Sequence, residues 1–170
     1  MAVSGQIRTT ISITNTGASD LSSPTETITD SVYWPAWTIT DGDAANKMNI
    51  VWSDQRTLTA TTSENLDLAG GLTDTYGNTL TFAKVKYLFV SAAAANNGII
   101  QVGGAASNAF VNWVANSSDI LQVRAGGWFD LAAPDADGYA VTAGTGDILK
   151  INNTGAAAGT YNIAIGGVSA

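Results

Sequence analysis

Short segments in which apolar and polar residues alternate recur along the chain, separated by Gly, Asn, Asp and Ser. A period of two puts alternate side chains on opposite faces of a strand, so the pattern predicts antiparallel sheet. Ile7, Thr9, Ile11 and Ile13 share one face of a first strand, which Asn15-Thr16-Gly17 breaks. Glu26 to Trp34 reads as a second, limited by Pro35 because proline cannot donate to a ladder. Asn46 to Trp52, Gln55 to Thr62 and Thr79 to Ser91 follow. In the last of these Val85, Tyr87 and Phe89 alternate with Lys84, Lys86 and Leu88, but the apolar face changes between Phe82 and Val85. One residue out of phase predicts a bulge or bend there.

Further strands fit Gly98 to Val102, Ala109 to Val114, Asp119 to Arg124, Trp128 to Leu131, Gly138 to Thr142, Asp147 to Asn152 and Thr160 to Gly166. Their regular spacing, with turn signals between, favours an all-β antiparallel sandwich of jelly-roll type over a βαβ fold. The expected core draws on Ile11, Phe82, Tyr87, Phe89, Val102, Val123, Tyr139, Ile151 and Ile163. No segment sustains a helical period, and the Ala-rich pieces at Ser91–Ala95 and Ala156–Ala158 read as loops. Glu64, Asp67 and Asp74 stand beside turn residues, where solvated carboxylates are expected.

Composition narrows the function. Only 12% of the 170 residues are charged, about half the share in typical soluble proteins. A lightly charged, small-residue surface suggests that part of it is covered by other protein. The net charge is −7, with seven basic residues that stand singly apart from Lys84 and Lys86. A polyanion would be repelled, so nucleic acid is not an expected partner. No stretch approaches the apolar length of a membrane span, and the amino terminus carries no export pattern. The expectation is therefore a protein made in a cytoplasm, in which the sequons at Asn116 and Asn152 are not glycan acceptors.

The absence of cysteine and histidine removes disulfides, thiolate nucleophiles and the commonest general base and metal ligand. Carboxylate chemistry remains. Paired acids can cleave glycosides when they face each other across a cleft, and Glu64 with Asp67 or Asp130 are the candidates, but nothing near them would tune their acidity. Pro134-Asp135-Ala136-Asp137-Gly138 resembles the start of a calcium loop without its closing acid, and Asp-Gly alone signals a turn. Gly103-Gly104 and Gly126-Gly127 join strands rather than open a helix, so no phosphate cradle follows. The expectation is a non-enzymatic protein without a cofactor or metal. Trp113, Trp128, Tyr139 and Tyr161 lie in or beside strands, where aromatics more often pack than bind sugar.

Seven motifs carry a resemblance. They are Trp52–Leu58, Leu66–Asp74, Thr79–Lys86, Val102–Ala105, Ala125–Phe129, Asp147–Asn152 and Thr160–Ile163. In this order, from Val51 to Gly167, the chain resembles small virion structural proteins of tailed bacteriophages, of the capsid decoration or cement type. The resemblance implies a jelly roll on the capsid exterior that bridges neighbouring major capsid subunits and self-associates as a dimer or trimer. A receptor- or glycan-binding virion module and a tail or neck component are the alternatives.

Residues 1–50 lie outside the resemblance and are expected to form an amino-terminal arm or edge strands, with residues 51–170 as the jelly-roll domain. An unpaired strand can add to a neighbour's sheet, and buried aromatics dominate many interfaces. The expected interface residues are accordingly Ile7, Ile11, Tyr33, Trp34 and Trp37. The competing expectation is that the strand pairs within its own sandwich and the tryptophans fill the end of that core.

Overall fold

β-strands are the regular structure of the residues described by the computed structural model, which are 2–8 and 36–170 in full and 13–16 and 25–28 as backbone. Ile11, Tyr33 and Trp34 lie outside them. Two pieces precede the main body. β1 (Gly5–Ile7), β4 (Trp37–Asp41) and β5 (Lys47–Met48) form a small sheet in the order β1-β4-β5, and β2 (Ile13–Thr16) pairs antiparallel with β3 (Thr25–Ile28). Ile7 and Ile13, expected on one strand, therefore belong to different sheets.

The body begins at β6 (Ile50–Leu58) and continues through β7 (Ser63–Asp67), β9 (Thr79–Ala92), β10 (Ile100–Gly103), β11 (Ile120–Val123), β12 (Trp128–Ala132), β14 (Ile148–Asn153) and β15 (Gly159–Ser169). One sheet runs β6-β15-β9-β12 and the other β7-β14-β10-β11. The pairings nest: β6 with β15, β7 with β14, β9 with β12, β10 with β11, all antiparallel. A long hairpin rolled so that its strands alternate between two sheets gives this order, and it is the jelly-roll topology. Two short strands, β8 (Ala69–Thr73) and β13 (Tyr139–Ala140), extend the first sheet along β9.

Alternation decides which side chains fill the space between the sheets. Tyr161, Ile163 and Ile165 of β15 meet Leu149 and Ile151 of β14, Ile100 and Val102 of β10 and Val123 of β11, all at most 3% exposed. Burial of this apolar set supplies the main stabilisation, about 25 cal/mol per Å² removed from water.

β9 departs from the expected phase. Register shifts against β15 fall between Gly166 and Gly167 and between Val168 and Ser169, leaving Lys86 and Ala83 without partners on β15. The bulge region predicted between Phe82 and Val85 is thus present, and it reaches Lys86. Its effect is to turn Leu88 and Val90 into the core, whereas Tyr87 and Phe89, expected there, sit half-buried on the outer face. Gly167 permits the distortion, since a Cβ on it would lie 2.0 Å from the Lys84 carbonyl oxygen. Lys86 is fully buried and donates from Nζ to the carbonyl oxygens of Ala44 (2.8 Å) and Asp43 (3.4 Å).

Other expectations also shift. Ala109 to Val114 forms turns with a single bridge from Ala109 to Ile148 rather than a strand. The break expected at Ser53–Asp54 is absent, and β6 is continuous. Ser63–Thr73, where the sequence reading places no strand, contains β7 and β8; buried Leu66 and Leu72 on them and Leu68 between them are the signal that reading missed.

Candidate functional site

Among the described residues, the open edge where β6 and β7 end the two sheets and a groove beside the amino-terminal sheet could do chemistry or binding. At the edge, Tyr161 points inward from β15, and its hydroxyl donates to Glu64 Oε1 on β7 at 2.7 Å. The Arg56 guanidinium on β6 donates to Glu64 Oε2 at 2.6 Å and, through Nε, to Asp54 Oδ2 at 2.9 Å. The same guanidinium lies 5.3 Å from the Trp52 ring centroid, a cation–π distance. β6 brings Trp52, Asp54 and Arg56 to one face because they are two residues apart. Burial, and then the hydrogen bond to Glu64, raise the Tyr161 pKa far above its ordinary value.

Chemically this cluster is a latch. Both carboxylate oxygens of Glu64, on the edge strand of one sheet, are engaged by the other sheet, one by β15 and one by β6, and the phenol stays neutral. Glu64 and Asp67 differ by an odd number of positions on β7 and face opposite ways, while Asp130 is exposed on the outer face of the other sheet, on β12 at its far edge. The three carboxylates proposed for glycoside cleavage are therefore not brought together. Asp67 Oδ1 accepts from the Ala69 backbone N–H at 2.8 Å.

The Asp135–Gly138 segment is held as a turn. Asp135 Oδ1 accepts from the backbone N–H groups of Gly138 and Asp137, both at 2.8 Å, and these bonds hold its carboxyl below the usual range. Among the described residues no three acidic side chains gather as a metal site.

The groove has a volume of about 680 Å³ and runs between the amino-terminal sheet and the outer face of β6 and β15. Ile7, Ile39, Met48, Val51, Tyr76 and Tyr87 give it apolar walls, and Asp54 and Asp74 also line it. Val51 is 48% and Tyr76 76% exposed. Asp74 organises the loop that carries Tyr76, since its Oδ1 accepts from the backbone N–H groups of Tyr76 (2.9 Å) and Asn78 (2.8 Å). Burial, and then the charge of Asp130, raise the Tyr87 pKa, which keeps that phenol neutral.

Of the residues expected at an interface, Ile7 is half-buried and lines the groove. Trp37 is buried with Ile39 and Met48 inside its own chain, so its ring is not offered to a partner. β1 pairs with β4 in register Ile7 to Trp37. Neither the groove nor the latch was visible in the sequence, because both join residues far apart in the chain.

No family model and no curated protein matches the sequence. Among solved structures, the solution NMR structure of a de novo designed double-stranded beta-helix matches at 6% identity over 67% of this chain and 97% of that one, with a TM-score of 0.35.

Proposed function

We propose that this protein is a non-catalytic assembly component of a virion, a capsid decoration protein that fastens neighbouring major capsid subunits from outside. The groove carries the reading. It has a volume of about 680 Å³, is lined by both apolar and polar side chains, and is of a size that takes an extended segment of a neighbouring subunit. Exposed Val51 and Tyr76 would be covered on docking, which is the usual meaning of apolar side chains left at a concave surface. The resemblance along residues 51–167 supports the same class of partner, and the latch at Glu64 supports a binding role over hydrolysis. A protein that binds the closed shell and not its separate subunits stabilises the shell by mass action.

Co-sedimentation with assembled shells and with free capsid subunits tests the proposal. Binding to shells and not to subunits is expected, and Val51→Lys or Tyr76→Ala should weaken it about tenfold or more. Both positions are exposed, so the variants should melt like the parent. Absence of shell binding, or binding indifferent to both changes, would overturn the groove as the docking site.

A further inference from the structure

The outer face of the first sheet bears a second surface, which meets the groove at Ser53 and Ala164 and extends away from it toward β12. Pairing registers lay out its rows. Gln55, Asn162, Ser91 and Trp128 lie side by side across β6, β15, β9 and β12, and Ser53, Ala164, Phe89 and Asp130 form the next row. In the first row Gln55 Nε2 donates to Asn162 Oδ1 at 2.8 Å, and Asn162 Nδ2 donates to Ser91 Oγ at 3.2 Å. Thr57 and Thr160 share a hydroxyl hydrogen bond of 2.9 Å beside them. Trp128 ends the row with 68% of its surface exposed, and Phe89 is half-buried diagonally beside it. Lys and Arg are absent from both rows. Three strand spacings make each row about 14 Å long, the length of a short oligosaccharide.

We propose that this face is a binding platform for a neutral polysaccharide. An indole ring open to solvent offers a flat apolar surface to the C–H face of a pyranose. The adjoining amides and hydroxyls are fixed by their mutual bonds, and each retains a donor or acceptor for a sugar hydroxyl. A protein partner would bury those remaining groups, and leaving them unpaired is costly. A sugar carries at each hydroxyl both a donor and acceptors, so it satisfies such a row at any register. The lack of cationic side chains disfavours an anionic glycan. Bound this way, the protein would hold the particle at a polysaccharide-coated surface, a role independent of shell docking through the groove.

The test is titration of the full-length protein with soluble neutral glucan oligosaccharides and with N-acetylglucosamine oligomers, with dextran sulfate as the anionic control. Tryptophan fluorescence and the indole N–H resonances serve as readouts. A saturable shift of the Trp128 resonance with a neutral probe is expected. Trp128→Ala should weaken binding about tenfold, Trp128→Phe should restore part of it, and shell co-sedimentation should not change. Failure of every neutral probe, binding to dextran sulfate alone, or loss of shell binding in Trp128→Ala each overturns the platform. Only the last of these reassigns the face to protein docking.

Discussion

Replacing Tyr161 by phenylalanine removes one oxygen from a fully buried ring and leaves its packing unchanged. The lost contact is the 2.7 Å hydrogen bond to Glu64, which joins β15 of one sheet to β7 of the other. Hydrogen bonds to a charged acceptor contribute about 1.5–3 kcal/mol. The Glu64 side chain is 22% exposed, so water compensates in part and the lower half of that range applies, about 2 kcal/mol. For a chain of this size each kcal/mol moves Tm by about 2–4 °C, so calorimetry at neutral pH should find Tyr161→Phe lower by about 4–8 °C.

The pH dependence adds a second reading. Burial raises the folded-state pKa of Tyr161 above its unfolded value of about 10. Above that pH the unfolded chain has released the phenolic proton and the folded chain still binds it, so stability from this group is full below about pH 10 and falls as pH rises further. The phenyl ring of the variant has no such proton. The stability gap between parent and variant should therefore narrow above about pH 10, while titration of the other tyrosines is common to both proteins. A gap under about 0.5 kcal/mol at neutral pH, or one that stays constant into alkali, would refute the latch.

Three further outcomes follow from the geometry. Asn153 is 1% exposed, donates from Nδ2 to the carbonyls of Thr59 (3.0 Å) and Ala157 (2.8 Å) and accepts from Gly155 N–H, so Asn153→Leu should cost about 3 kcal/mol in denaturant unfolding; a neutral result contradicts the role of these bonds in closing the β14–β15 turn. A Cβ at Gly98 would lie 2.2 Å from the Gly155 Cα, so Gly98→Ala should lower Tm by more than any surface alanine, and a parental melting curve would mean the two loops separate freely. The parent, Glu64→Gln, Asp67→Asn and Asp130→Asn should all fail to hydrolyse polysaccharides and peptidoglycan, and hydrolysis by the parent that any of these changes abolishes would restore the enzymatic reading.

Period-two alternation, with turn residues between, is enough to determine that this chain is an antiparallel sandwich, because every strand of a two-layer sheet must separate an apolar from a polar face. It also located β10, β11, β12, β14 and β15 and the inward set Val102, Val123, Ile151 and Ile163. The lack of histidine and cysteine likewise excluded whole classes of chemistry without any coordinates. Alternation does not say which face is inside. In β9 both faces carry apolar residues, and the choice of Leu88 and Val90 over Tyr87 and Phe89 depended on bulges that only the partner strand β15 defines.

The same limit applies to the candidate sites. Trp37 and Trp128 each open a strand, yet one is buried in a cluster with Ile39 and Met48 against which Tyr87 of β9 packs, and the other stands open on β12, because exposure depends on what a neighbouring sheet covers. Arg56, Glu64 and Tyr161 are made neighbours by the rolling of the hairpin, which brings the ends of β6 and β7 to one edge and runs β15 beside them. Tertiary pairing alone decides contacts between residues so far apart in the chain, since the interaction energy belongs to the pair and leaves no periodic trace in either segment.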